Sequence, residues 1–579
     1  GDISGDEQQG GLVGYNTGTS RIEDSSALGD ISGDEQQGGL VGSNIGYIVN
    51  SHALGDVTSS NGMAGGLIGT HIAGEVTDSY ATGNVVSGGD DAGGLVGWLN
   101  GTAIIAGSNA TGNVEGVNNV GGFVGRIDTT SALTYITNSF SEGNVEGVNK
   151  VGGIVGHVRG GSIDNTTASG DITATGDYAG GLVGHYEGFE RSNLTNTSAQ
   201  GHVQGNNYVG GLVGHTSGIE INRVSAQGTA SGNGSVGGLV GYLSGDLGNA
   251  YSTGEVTGSG DKVGGLVGHA DRVDIEYTYA TGNVIGKANM VGGLFGEANE
   301  AVKIENSYSI GNVSGKNRVG GLAGFARNSN ITKTYASGDV TGVEEIGGLA
   351  GTSHSTGFSQ VYATGEVTAT TSTALVGGLI GSALGGSAEN AYWDTQTTGQ
   401  SSSADWTGKY NNTGLTTTQI KSLSTFDGMS EDISAIGGQN TAWRIYEGQS
   451  APLLRGLMSD VTLSEELTRT YDGSTTANLS GVGLNLEVEG VELTSGLFAS
   501  KDAGTDILIE AGYAKTGDEN LSTVLQRYDF NFTGTITPKE LTVTGLSVAG
   551  RAYNGSDEIS LTGDAALSGF IGSETVTIS

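Results

Sequence analysis

Gly237-Gly238-Leu239-Val240-Gly241 is one of fourteen exact or near copies of one pentapeptide in the first two thirds of the chain. The copies start at Gly10, Gly38, Gly65, Gly93, Gly121, Gly152, Gly180, Gly210, Gly237, Gly264, Gly292, Gly320, Gly347 and Gly377. Successive starts lie 27 to 31 residues apart, most often 28. A fixed period of this length signals a solenoid, in which each unit buries its apolar face by stacking on its neighbours.

A second element follows the same period. It reads Asp78-Ser79-Tyr80-Ala81-Thr82-Gly83-Asn84-Val85 in one unit and Lys333-Thr334-Tyr335-Ala336-Ser337-Gly338-Asp339-Val340 in another. The alternation predicts a strand with Ala81, Gly83 and Val85 inside and Tyr80, Thr82 and Asn84 outside. Small inward residues imply a narrow coil. Leu and Val of the pentapeptide are adjacent, so they cannot share one face of a flat strand. Either the glycine pair bends the chain there, or both faces are covered. A third, less regular segment, such as Ile219–Ile221 or Val273–Ile275, completes the unit. The expected fold is all-β. It is a parallel β-solenoid of about fourteen coils with three short strands each, near 28 residues per coil and about 65 Å long.

Composition agrees with this reading. The chain has 579 residues, 109 glycines and two prolines. The glycines do not fall at every third position, which excludes collagen, and apolar residues recur in register with them, which argues against a flexible linker. They are expected to serve tight corners, positive φ and close backbone approach. There is no cysteine, so disulfides and zinc-thiolate sites are excluded. The net charge of −37 argues against nucleic acid as a partner, since phosphate contact needs clustered Lys and Arg. No stretch has the roughly 20 apolar residues of a membrane helix, so no membrane insertion is expected in this segment. Gly1–Gly14 recurs verbatim at Gly29–Gly42. The chain therefore starts in mid-repeat and is expected to be a fragment, which leaves room for a targeting signal upstream.

The repeated unit resembles the GLUG motif, named for its Gly-Leu-any-Gly core, across residues 1–394. That resemblance implies an extracellular β-helical stalk of a large bacterial surface or secreted adhesin, and it brings no catalytic residues. Residues 395–457 resemble the segment that closes GLUG arrays, and are expected to form a cap or linker. Trp393, Trp406 and Trp443 are expected to plug the end of the core, glycan stacking being the alternative. Arg469-Thr470-Tyr471-Asp472-Gly473-Ser474 recurs as Arg551-Ala552-Tyr553-Asn554-Gly555-Ser556, offset by 82 residues. With Thr537-Pro538-Lys539 at the join, this pair resembles YDG-type modules of filamentous-haemagglutinin-like adhesins. Residues 458–540 are expected to form one small β-sandwich module and 541–579 an incomplete second one.

Several columns of side chains are candidate sites. Tyr251, Tyr279, Tyr308, Tyr335, Tyr362 and Tyr392 share one phase and should stack. Packing explains such a ladder, and an aromatic strip for sugar rings is the binding alternative. His157, His185, His215 and His269 follow the pentapeptide. A straight ladder does not converge as a tetrahedral metal site requires, so no metal site is expected. Asp, Asn or Glu recurs after the Tyr-Ala-Thr-Gly turn, as at Asp30, Asp56, Asn84, Asn113 and Asn144. This row should form shared amide hydrogen bonds, with carboxylates exposed or bridged by cations. Loosely bound calcium is the one ion allowed for. No nucleophile elbow, His-Glu-x-x-His pair or Walker loop is present, so no enzyme and no cofactor are expected.

The expected function is a stalk in a secreted adhesin or extracellular fibre. It would mediate cell-surface, biofilm or matrix attachment, with glycans or cell-surface and matrix components as partners. The alternatives are a self-assembling filament subunit whose terminal module is completed by another chain, and a carbohydrate-active β-helix protein.

Overall fold

The computed structural model describes residues 1–129, 134–189, 192–404, 410–516 and 521–576. Its contacts divide the chain into two units, residues 1–419 and 420–579. The first unit is the expected parallel β-solenoid. Its strands pair only with the equivalent strands one coil before and one coil after, always in parallel.

Most coils have four strands, where three were expected; the last two have three, because their final strand, such as Ala350–Ala363, runs through the corner. In one coil they are Val256–Gly258, Val263–Gly264, Val267–Asp271 and Asp274–Ala280. The first two columns form one sheet and the last two another. The irregular third segment is continuous with the Tyr-Ala strand, as Ile275 to Ala280 shows. A kink with positive φ at Tyr277 interrupts the strand without ending it.

The buried apolar residues form two cores. Val256 and Val263 belong to the smaller one. Leu266, Val267, Ala270, Ile275 and Ala280 belong to the larger. The pentapeptide is the waist between them. The chain bends at Gly265 and Leu266, so Leu266 and Val267 both enter the larger core. This decides the question left by their adjacency in favour of the bend.

The waist explains the glycines. A Cβ on Gly264 would lie 2.0 Å from the Val267 carbonyl oxygen and 2.7 Å from the Gly296 nitrogen. One on Gly265 would lie 2.1 Å from the Gly293 oxygen and 3.1 Å from the Ala280 Cβ. The two sheets therefore meet backbone to backbone, and the small residue of Tyr-Ala-Thr faces the second glycine. Positive φ falls elsewhere. Residues such as Lys150 (φ 55°), Tyr178 (φ 68°), Lys262 (φ 67°), Asn165 (φ 47°) and Asn306 (φ 50°) carry the left-handed corners. Asn tolerates that region comparatively well. Lys and Tyr do not, and their presence shows the stacked neighbours overriding local preference.

At the C-terminal end of the solenoid, Trp393 is buried and hydrogen-bonds through its indole Nε1 to the Gln400 carbonyl at 2.8 Å. Its ring occupies the space a Cβ on Gly378 would fill, so it does plug this end. Trp406 lies outside the described residues. Trp443 does not share the role. It is buried in the second unit, where Trp443–Arg444 pairs with Ile433–Ser434 and Leu453–Leu454. The expected cap segment is accordingly split. Tyr410–Leu415 continues the solenoid ladder on Ala388–Asp394, and residues 420–457 pack with the module that follows.

That module is a five-stranded mixed sheet with Leu467–Thr470 at one edge and Thr476–Ala477 at the other. Asp529 forms ion pairs with Arg444, Nε to Oδ1 at 3.3 Å, and with Arg455, joining the 420–457 segment to the module. The recurring Arg-x-Tyr-Asp/Asn-Gly-Ser motif is a clamped turn. Asp472 Oδ1 accepts from Ser474 N at 2.8 Å, and Arg469 holds both Asp472 and the Ser474 carbonyl. Asn554 accepts from Ser556 N and from Arg551 Nη1 in the same way. The change from Asp to Asn preserves the acceptor and hence the turn.

Candidate functional site

Parallel stacking turns each outward sequence position into a column of side chains. The tyrosine column forms as expected. Tyr251, Tyr279, Tyr308, Tyr335 and Tyr362 stack with ring centroids 4.9–5.1 Å apart and nearly parallel planes. Tyr392 continues the backbone register. The ring faces lie against one another, and Tyr308, Tyr335 and Tyr362 are buried. Half-buried edges remain at Tyr251, Tyr279 and Tyr392. Burial pushes the Tyr279 phenol up to about 12 and those of Tyr335 and Tyr362 well above their ordinary range. These hydroxyls stay protonated.

The Asp/Asn row has a different role from the one expected. Each side-chain Oδ1 accepts the backbone N–H of the equivalent residue in the next coil. Asn113 N donates to Asn84 Oδ1 at 3.0 Å, Asn144 N to Asn113 Oδ1 at 2.9 Å, and Asp171 N to Asn144 Oδ1 at 2.9 Å. The row thus satisfies the N–H groups exposed at a corner. Asp30 serves Asp56 N in the same way at 2.9 Å, and both side chains are exposed. Asn84, Asn113, Asn144, Glu115 and Glu146 also line a shallow polar groove of about 600 Å³ along the solenoid.

The histidine column flanks the waist. On the other flank runs the column with left-handed φ, seven residues earlier. The two columns meet. Lys150 Nζ lies 3.4 Å from His157 Nδ1 and Lys262 Nζ lies 3.3 Å from His269 Nδ1. Tyr178 stacks on His185 at 4.9 Å, and the Arg318 guanidinium covers Phe325 at 5.0 Å. Sequence spacing alone did not pair these columns, because the intervening waist was not foreseen.

The histidines stack only in part. His157 and His185 are parallel at 5.2 Å, His215 is turned edge-on to His185 at 4.8 Å, and Tyr242 separates His215 from His269. His157 and His185 are 7% and 9% exposed. Burial, reinforced for His157 by Lys150 and for His185 by its histidine neighbours, pushes both down to about 3. Burial likewise pushes His215 down to about 4. All three imidazoles are neutral near pH 7.

One carboxylate missed by the sequence reading joins this column. Glu187 lies two residues beyond His185 on the same strand face. Its Oε1 is 3.7 Å from His157 Nε2 and 3.6 Å from His185 Nδ1. In the later coils, Glu297 meets His269 Nε2 at 3.5 Å, but Lys262 Nζ holds the same carboxylate at 2.7 Å.

Among family models, the one described as the GLUG motif matches residues 7–32, 60–86, 147–173 and 315–341. Each match spans about one coil and contains one pentapeptide, so the chain carries GLUG repeats in the solenoid. No curated protein and no solved structure matches it. No helix among the described residues is long and apolar enough to cross a membrane.

Proposed function

We propose that this GLUG-repeat solenoid is a stiff segment of a bacterial adhesin or extracellular fibre that holds an attachment surface away from the cell. The observation that carries the reading is the parallel pairing of coil on coil between Ile3 and Asp394, through two sheets, among the described residues. Bending such a stack would break many backbone hydrogen bonds together. The chain's net charge of −37 keeps neighbouring stalks apart in solution. The mechanism is mechanical and interfacial. Glycans or matrix components would meet the outer columns, above all the amide-lined groove at Asn84, Asn113 and Asn144 and the tyrosine edges at Tyr251, Tyr279 and Tyr392.

The test is display of the chain on a non-adherent bacterium. Attachment to glycan- or matrix-coated surfaces should exceed that of cells displaying an unrelated solenoid of equal length. Equal attachment across a broad panel would reject the adhesive reading. Cleavage of an acidic polysaccharide would favour the carbohydrate-active alternative.

A specific observation supports inter-chain completion as a second reading. Val543, Ile559 and Leu561 are 51%, 62% and 58% exposed, whereas Val461, Ala477 and Leu479, offset by 82 residues, are at most 1% exposed. A strand from another chain would cover this face. Concentration-dependent association that is lost in a Val543→Ser/Leu561→Ser variant would support that reading, and unchanged association would remove it.

A further inference from the structure

We propose that His157, His185 and Glu187 form a binding site for a zinc-class divalent ion that ties two successive coils together. One donor atom from each residue lies within 4.8 Å of the others. His157 Nε2 and His185 Nδ1 are buried and have no hydrogen-bond partner among the described residues. An unpaired buried imidazole nitrogen costs free energy that a metal ion would recover. The donors converge because Glu187, two residues along the strand from His185, brings one carboxylate oxygen to 3.7 Å from His157 Nε2 and 3.6 Å from His185 Nδ1. A straight histidine ladder could not do this.

The donor set selects the metal. Two imidazoles and one carboxylate suit Zn(II), Co(II) or Ni(II), whereas Ca(II) and Mg(II) prefer all-oxygen sets. With metal–ligand bonds of about 2.0–2.2 Å, tetrahedral ligands sit roughly 3.3 Å apart. The two carboxylate–imidazole distances of 3.6 and 3.7 Å are within a few tenths of that. The Glu187 side chain is 42% exposed, so the fourth position opens to solvent.

The neighbouring charges are mixed. Arg126 and Arg159 both contact Asp128, at 2.5 and 3.2 Å. Lys150 is the competitor. Its ammonium can only donate, so its contact with His157 Nδ1 places the ring proton on Nε2, facing Glu187. A metal on Nε2 requires that proton to move to Nδ1 and Lys150 to turn away. Lys150 is half-buried. The later coils show the alternative, with the Lys262 ammonium itself on the Glu297 carboxylate.

The experiment titrates Co(II) into the full, untagged, metal-stripped chain, with visible absorption as the readout and Zn(II) as competitor. One equivalent should give the intense bands of a low-coordinate site, and Zn(II) should abolish them. His185→Asn and Glu187→Gln should each weaken binding by about tenfold or more, and His215→Asn should not. Lys150→Gln, which offers an acceptor to Nδ1–H, should tighten it. Circular dichroism of each variant confirms that the fold is kept. Absence of a saturable one-equivalent band, or binding unchanged in both His185→Asn and Glu187→Gln, would overturn the site.

Discussion

Gly237→Ala tests the waist directly. The added Cβ would lie 2.0 Å from the Val240 oxygen, 2.7 Å from the Gly268 nitrogen and 2.8 Å from the Leu266 oxygen. All three are backbone atoms, so no rotamer change relieves the overlap. Two belong to the next coil, so a local shift would break the ladder above as well. Overpacking a core costs about 1–3 kcal/mol where side chains can give; here about 3 kcal/mol or more is expected. Gly218→Ala is the control. Gly218 has φ 69°, but the nearest atom to its Cβ would be Gly188 O at 3.4 Å. Only the left-handed backbone penalty of about 1–2 kcal/mol applies. Urea unfolding followed by far-UV circular dichroism should show a clearly larger drop in the solenoid midpoint for Gly237→Ala than for Gly218→Ala. Equal shifts, or a larger one for Gly218→Ala, would refute the backbone-to-backbone waist.

Leu294 is fully buried in the larger core. Leu294→Ala should cost about 2–5 kcal/mol in the same assay, while Val86→Ala, at an exposed position, should stay within about 0.5 kcal/mol. Asn113→Ala should speed hydrogen exchange at the Asn144 amide, which Asn113 Oδ1 accepts, and Asn113→Asp should not. His157 and His185 have folded values near 3, below the ordinary 6.5. The unfolded chain therefore binds more protons between those values, and stability should fall as pH drops from about 6.5 toward 3. Replacing both with Gln should flatten that part of a melting-temperature profile. Asp91 is shifted the other way, up to about 6, chiefly by burial, while Asn119 donates to it at 2.7 Å. Asp91→Asn keeps that acceptor without the buried charge and should stabilise the fold at pH 7 by about 1–3 kcal/mol, read as a raised melting temperature.

The period exposed the solenoid, because a glycine-led pentapeptide recurring fourteen times has few other physical meanings. The inward Ala81 and Val85, the outward Tyr80 and the stacked tyrosines were equally legible, since strand alternation and period together set a residue's column. The second core was not. It follows from where the chain crosses itself at Gly264 and Gly268, and adjacency of Leu266 and Val267 allowed two readings. Positive φ at Lys150 and Tyr178 was hidden for the opposite reason, since local preference there runs against the observed backbone. Glu187 was missed because the pattern was read coil to coil, whereas its approach to His157 combines one step along the strand with one step between coils. Trp443 was assigned to the solenoid by proximity in sequence, but strand pairing with Leu454 places it in the other unit.

The central claim is that equivalent residues stack in register at one coil per step. The absence of cysteine makes a direct distance measurement clean. Val86 and Ile285 are both exposed and occupy one column, linked through Glu115, Glu146, Thr173, Gln204, Ser231 and Thr257. Seven steps at the strand spacing give about 34 Å. Spin labels on Val86→Cys/Ile285→Cys, measured by double electron–electron resonance, should give one narrow distribution near that value. A broad distribution, or a peak more than about 10 Å away, roughly two coil spacings, would contradict the stacked, in-register solenoid.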